Sequence, residues 1–218
     1  AWYLVKKINE EFDYLILRNT SNNKYESCTE DSDTFKEKCL SWSYYPLGGS
    51  LTLDQEDWEE AILMLCQAPG LILDLTNIDS TIKNKITEVA WTLVDKSPTA
   101  SYLLLRNIGK NADLDKLTSA EGFENLTNIG GRVYCRALKS AEGFKNLTSI
   151  GGDADFIFLK SAEGFKNLIS IWGRAVFTSL TSAEGLENLT NIGKKGFMDF
   201  DYLPESEKQK IPALRGRS

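Results

Sequence analysis

LTSAEGFENLTNIGGRVYCRA, residues 117–137, is written three more times before the chain reaches residue 200. The later lines are LKSAEGFKNLTSIGGDADFIF (138–158), LKSAEGFKNLISIWGRAVFTS (159–179) and LTSAEGLENLTNIGKKGFMDF (180–200). Each is 21 residues long, and the four align without insertion. A unit this short cannot bury its own apolar face, so the units must stack and share one elongated core.

Five positions stay apolar or small in every line. They begin with Leu117, Leu138, Leu159 and Leu180, and with Ala120, Ala141, Ala162 and Ala183. Phe123, Phe144, Phe165 and Leu186 follow, then Leu126, Leu147, Leu168 and Leu189, and last Ile129, Ile150, Ile171 and Ile192. These are the predicted core rungs. A glycine-containing turn comes next, and then a segment of period two, as a strand requires. Its inward columns are Val133, Ala154, Ala175 and Gly196, then Cys135, Phe156, Phe177 and Met198. The positions between them point outward, and there the lines disagree. Tyr134, Asp155, Val176 and Phe197 form one outward column, and Arg136, Ile157, Thr178 and Asp199 the next. Fixed scaffold letters with varied outward letters are how a repeat array writes a contact surface.

The pattern LxxxEGFxNLTxIGG followed by a short strand resembles leucine-rich-repeat solenoids, and within them the short repeats of receptor L-domain-like bacterial proteins. The likeness covers 84 of the 218 residues. It implies an α/β fold, a right-handed solenoid with a curved parallel sheet, and binding of other proteins without catalytic residues. The asparagine ladder of the longer signature is not found after these strands.

Upstream, YLILRN at 14–19 and YLLLRN at 102–107 alternate as strands of the same sheet, with Leu15, Leu17, Leu103 and Leu105 inward. Between them the reading is strand, helix, strand, helix. Leu51 to Asp54 is a strand, and a helix over 55–67 buries Trp58, Ala61, Ile62, Leu65 and Cys66. LILDLTN is a strand, and a second helix over 81–94 buries Ile82, Ile86, Val89, Ala90, Leu93 and Val94. Parallel crossovers follow from that order. One continuous domain results: an N-terminal strand and cap (1–47), helix-bearing repeats (48–116), the four short repeats (117–200), and a thin C-terminal cap (201–218). A brief helix is expected near SEKQK, with disorder after Pro212.

Cys28 and Cys39 lie in the polar stretch after Asn19. They form a cap disulfide in an oxidising compartment and stay free thiols in a reducing one. Cys66 and Cys135 read as small core residues. The chain starts at Ala1, and AWYLVKKI is too short and wrongly flanked for a complete signal peptide. A mature product and a piece of a longer chain both remain open, with a secreted or cell-surface setting favoured over the cytoplasm.

Composition removes whole classes of chemistry. There is no histidine, which excludes Ser-His-Asp and Cys-His arrangements and the HExxH zinc site. Four cysteines without a CxxC pair make no zinc set, and no phosphate-loop or dinucleotide fingerprint occurs. A net charge of −6 argues against a nucleic-acid partner. No apolar run reaches the ~18 to 20 residues of a membrane span. No cofactor or metal is expected.

The predicted function is a non-catalytic module that binds a protein ligand on the concave sheet face, as a monomer. Its residues are Tyr14, Ile16 and Arg18; Ile72 and Asp74; Leu104 and Arg106; then Tyr134, Arg136, Asp155, Ile157, Val176, Thr178, Phe197 and Asp199. Two alternatives stand beside it. One is a self-associating structural repeat. The other is a nucleoside- or NAD-directed enzyme, because 70–93 resembles the strand and glutamate-bearing helix of deoxyribosyltransferase and TIR-like folds. That resemblance implies Glu88 as the acting carboxylate, with Asp74 and Asp79 nearby. The NLT sequons at Asn125, Asn146 and Asn188 recur with the repeat and read as turn residues. The column Glu121, Glu142, Glu163 and Glu184 reads as a solvated ridge, open to a cation or a basic partner.

Overall fold

Each 21-residue line folds as one coil carrying two short strands where the sequence predicts one. In residues 128–135 the pattern runs Asn128 outward, Ile129 inward, a glycine corner, then Val133 inward, Tyr134 outward and Cys135 inward. Ile129, Val133 and Cys135 are fully buried. The glycine corner turns the chain between the strands, and the close stacking of coils leaves no room there for a side chain. A Cβ at Gly130 would lie 2.2 Å from the Gly109 carbonyl oxygen, and one at Gly151 would lie 2.1 Å from that of Gly130.

The computed structural model describes residues 2–7, 14–19, 25–30, 49–52, 59–67, 70–193 and 198–215. In chain order it begins with strands β1 (Trp2–Lys7), β2 (Tyr14–Asn19) and β3 (Tyr25–Glu30). These pair antiparallel in a sheet of their own. YLILRN is therefore a strand, as predicted, but not of the solenoid sheet. Next come β4 (Gly49–Thr52), helix α1 (Glu59–Cys66), β5 (Leu71–Asp74), the one-turn helix α2 (Ser80–Lys83), β6 (Glu88–Val89) and β7 (Thr92–Val94). Five strand pairs follow: β8 (Asn107–Ile108) with β9 (Ala112–Asp113), β10 (Asn128–Ile129) with β11 (Val133–Tyr134), β12 (Ser149–Ile150) with β13 (Ala154–Asp155), β14 (Ser170–Ile171) with β15 (Ala175–Val176), and β16 (Asn191–Ile192) with β17 (Met198–Asp199). Helix α3 (Glu205–Lys208) and a 3-10 turn at Pro212–Leu214 end the described chain.

The even strands β6 to β16 stack into a six-stranded parallel sheet, and β4, β5 and the odd strands β7 to β17 into an eight-stranded one. The fold is a parallel β-solenoid with few helices. On its third side Glu142–Phe144 and Glu163–Phe165 form 3-10 turns, and Ser140 bridges Ser161.

Four upstream and terminal expectations are corrected. The second helix is confined to Ser80–Lys83, and 88–94 supplies β6 and β7 of another coil. Ile82, Ile86, Val89 and Leu93 are buried all the same, whereas Ala90 and Val94 are half-exposed. YLLLRN is a turn leading into β8: Tyr102 and Leu105 are buried, and Leu103 stands 48 % exposed instead of inward. Residues 212–214, expected to be disordered, form a 3-10 turn; Ile211, Ala213 and Leu214 are buried, and the Ala213 N–H bonds the Leu189 carbonyl at 2.9 Å. These residues, with Leu203, cover the apolar end of the last coil.

The fourth correction concerns register. Ala175 pairs with Met198 and Val176 with Asp199, while Ile171 pairs with Ile192. Two extra residues therefore fall between Ile192 and Met198, and the ungapped alignment is displaced by two there. Met198 takes the register of Ala175, Asp199 joins the column of Tyr134, and Phe200, 4 % exposed, takes the place after it that Phe177 holds after Val176.

Aromatic rings run the length of the core. Tyr102, Phe123, Phe144 and Phe165 follow one another at centroid distances of 5.3, 5.6 and 5.9 Å, the first two pairs tilted and the third stacked, and Phe156, Phe177 and Phe200 stack at 5.4 and 5.3 Å. Phe165 joins the two lines, 5.1 Å from Phe156. Such pairs contribute beyond their buried area.

Cys66 and Cys135 are buried free thiols, as predicted. Burial pushes the Cys66 thiol up to about 12 and raises Cys135 and the Tyr102 phenol well above their ordinary values. For an acid a raised value means that the folded state favours the neutral form. That contribution is complete below the ordinary thiol range and is lost as pH climbs towards the folded values. Resistance to urea, followed by circular dichroism, is expected to hold at neutral pH and to fall steadily above about pH 9. A flat profile to pH 12 would mean that these groups are not buried.

Candidate binding face

Register decides which outward residues share a line. On the eight-stranded sheet the pairing Asp74, Val94, Asp113, Tyr134, Asp155, Val176, Asp199 is continuous across seven strands. Neighbouring strands lie ~4.8 Å apart, so the four aspartates, on alternate strands, recur at ~10 Å with Val94, Tyr134 and Val176 between them. Arg136, Ile157 and Thr178 lie two residues on, beside Lys96, Asp115 and Asp201.

Five predicted residues, Asp74, Tyr134, Asp155, Val176 and Asp199, therefore meet in one column, and Arg136, Ile157 and Thr178 flank it. Ile72 lies two residues before Asp74 on β5, paired with Thr92. Leu104 and Arg106 are not on this sheet; they belong to the exposed turn before β8, and the Arg106 carbonyl accepts the Thr127 N–H and hydroxyl. Tyr14, Ile16 and Arg18 lie on β2 of the antiparallel sheet. Phe197 and the Cys28–Cys39 pairing lie outside the described residues.

Val94 and Asp113 were missed, along with Lys96, Asp115 and Asp201. The signal for the 107–117 coil is present in the sequence: NIGKNADLDKL lines up without a gap on NIGGRVYCRAL at 128–138.

The face is a checkerboard of charge. Lys96 pairs with Asp113, and Arg136 grips Asp115 through two guanidinium nitrogens, Nε at 3.0 Å. Arg132 Nε lies 3.3 Å from Asp153. These pairs are partly exposed and each contributes little to stability. The Arg136 guanidinium holds the Asp115 carboxyl below the usual carboxylate range. Asp155 moves the other way because burial outweighs the Arg136 charge. Asp199 is also raised, by burial first and then by its hydrogen bond with Asp201. Oδ1 of Asp155 and of Asp199 is covered and receives no hydrogen bond from the described residues.

The other periodic polar residues have structural partners. The amides of Asn125, Asn146, Asn167 and Asn188 donate to carbonyls of the preceding coil at 2.6 to 2.7 Å. An asparagine ladder does exist, then, but before the strands, and it occupies the three NLT sequons. A second ladder runs over the six-stranded sheet: Asn107 donates to Glu88 at 2.9 Å, Asn128 to Asn107 at 2.8 Å and Ser149 to Asn128 at 2.6 Å. Glu88 is therefore the first rung of a ladder on β6, and no helix carries it. Asp79 caps α2 by accepting the Thr81 and Ile82 N–H groups. Glu121, Glu142, Glu163 and Glu184 are all exposed. A cavity of about 470 Å³ opens beside the first of them, lined by Thr99, Ser101, Leu103, Ser119, Glu121, Gly122 and Glu124.

Fold and face together define a parallel β-solenoid of 21-residue coils with one chemically varied sheet face. Compared with known proteins, the chain matches no family model, no curated protein and no solved structure.

Proposed function

We propose that this chain is a non-catalytic recognition solenoid of the leucine-rich-repeat type, and that it binds a protein ligand on the outward face of the eight-stranded sheet. One observation carries the reading. Across the coils the inward positions keep one chemical type, while the outward column between them passes from acid to valine to tyrosine and back. A purely structural exposed strand has no need of a buried-oxygen aspartate beside a half-buried tyrosine. Tyrosine and arginine, here Tyr134 and Arg136, are also common interface anchors.

The alternatives have less support. Head-to-tail stacking needs an uncovered terminal coil, and Leu203, Ile211, Ala213 and Leu214 cover this one. The deoxyribosyltransferase or TIR-like reading needs Glu88 on a helix, and Glu88 is on β6.

The test compares ligand capture by the native chain, by Tyr134→Ala/Arg136→Ala/Ile157→Ala, and by a ridge control, Glu121→Gln/Glu142→Gln/Glu163→Gln. Loss of two interface anchors is expected to weaken binding at least tenfold, at about 2 kcal/mol per hot-spot residue, with the control unchanged. Equal capture by the face variant, folded by circular dichroism, would remove this face from the proposal.

A further inference from the structure

Among the described residues, Lys83 and Asp95 are the one charged pair with both partners buried, at 3 % and 0 % exposure. Asp95 falls between Val94 and Lys96 of the proposed binding face but is itself buried beneath it, so the pair has no part in that face. Lys83 ends helix α2, Asp95 follows β7, and the buried Tyr102 takes the place of phenylalanine at the head of the aromatic line. Lys83 Nζ stands 2.6 Å from Asp95 Oδ2. The Tyr102 hydroxyl donates to the same oxygen at 2.7 Å. The other oxygen, Oδ1, accepts the Ser97 backbone N–H at 2.9 Å. Lys83 Nζ also donates to Ser97 Oγ at 3.3 Å, and that hydroxyl donates to the Thr76 carbonyl at 3.1 Å.

The two carboxyl oxygens are thus placed differently. One sits between an amine and a phenolic proton donor, and the other is held by a backbone N–H in the manner of an oxyanion donor. The geometry points to a covalent modification made by the chain itself: Lys83 and Asp95 condense to a side-chain amide, with Tyr102 as the acid.

The atoms balance as follows. A proton passes from Lys83 to Asp95 across the 2.6 Å contact, leaving a neutral amine beside a carboxylic acid. Nζ adds to Cγ, the N–C bond forms, and Oδ1 takes the negative charge under the Ser97 N–H. The adduct then collapses, breaking the Cγ–Oδ2 bond. Oδ2 leaves as water with a proton from Tyr102, which recovers one from Nζ. Amide and water are the only products, and nothing is oxidised or reduced.

Two physical effects favour the step. Contact between the reacting groups substitutes for a concentration of ~10⁵ M or more. A buried ion pair bears a desolvation cost that the neutral amide does not. The product is a ring closed through residues 83 and 95, a clasp on the coil that begins the aromatic line.

Intact-mass measurement of the full chain, reduced and denatured, tests this directly. The expected mass is lower than the sequence mass by one water, with a branched peptide joining Lys83 to Asp95 on digestion. Asp95→Ala is expected at its full sequence mass. Tyr102→Phe, followed by mass after cell-free synthesis, is expected to close on the order of a hundredfold more slowly. A native chain at full mass, with Lys83 acetylated after denaturation, overturns the proposal whether or not the variants fold. Equal closure rates with Tyr102→Phe would overturn the assignment of the acid.

Discussion

Gly164→Ala is expected to cost about 3 kcal/mol or more, the upper end of what overpacking does, and to open the solenoid at that coil. The added Cβ would stand 1.7 Å from the Ala141 carbonyl oxygen, 2.1 Å from its carbon and 2.5 Å from the Glu142 nitrogen. All three are backbone atoms of the preceding coil, so no side-chain rotation relieves the overlap. The 3-10 turn Glu163–Phe165 must lift away, and Phe165 sits at the junction of both aromatic lines. Urea unfolding of Gly164→Ala beside Lys166→Ala checks this. The exposed lysine variant should stay within ~0.5 kcal/mol of the native chain. Similar midpoints for the two variants would mean that adjacent coils are not in contact at this turn.

Phe144→Ala is expected to remove about 3 to 5 kcal/mol, the usual cost of deleting a buried ring. Phe144 is fully buried between Phe123 at 5.6 Å and Phe165 at 5.9 Å. Stacked coils cannot close over the space, because asparagine and threonine side chains also tie them to fixed carbonyls. Each coil contacts only its neighbours, so the loss is local before it is global. Hydrogen exchange should therefore speed up first for the amides of 120–168, with α1 and the C-terminal cap following later. Uniform acceleration along the whole chain would argue for a single cooperative unit.

The inward columns were legible because a 21-residue period repeats the same burial at the same letter. The leucine, alanine, phenylalanine and isoleucine rungs predicted in 117–192 are all buried. Residues 81–94 were misread for a reason that can be named. Ile82, Ile86, Val89 and Leu93 fall at spacings of four, three and four, the stripe of a helix. They are buried as that stripe requires, yet three of them belong to turns and strands of a coil. A helix closes its hydrogen bonds within itself, whereas β6 and β7 close theirs on 107–113, so the choice rests on residues outside the window. The β-branched residues of ITEVAWTLV are the local signal that favours strands over that helix.

The candidate face shows the same division. Alternation along one line sufficed to place Tyr134, Asp155 and Val176 in one column, in which Tyr134 and Asp155 are half-buried and Val176 is buried, 8 % exposed. That Asp74, Val94 and Asp113 continue their column, and that Asp199 and not Phe197 completes it, follows from strand register. Nineteen residues separate Val89 from its partner Ile108, and 23 separate Ala175 from Met198. A pattern with a constant period cannot announce such changes.

The sequence by itself determined that this protein is a stack of like coils with a shared apolar core and one variable outward strand face, because those properties repeat with every line. Only the tertiary structure decided that each coil carries two strands, that Glu88 lies on a sheet, and that Lys83 meets Asp95 beneath Tyr102. These depend on which coil lies against which, and hydrogen bonds between distant residues set that arrangement.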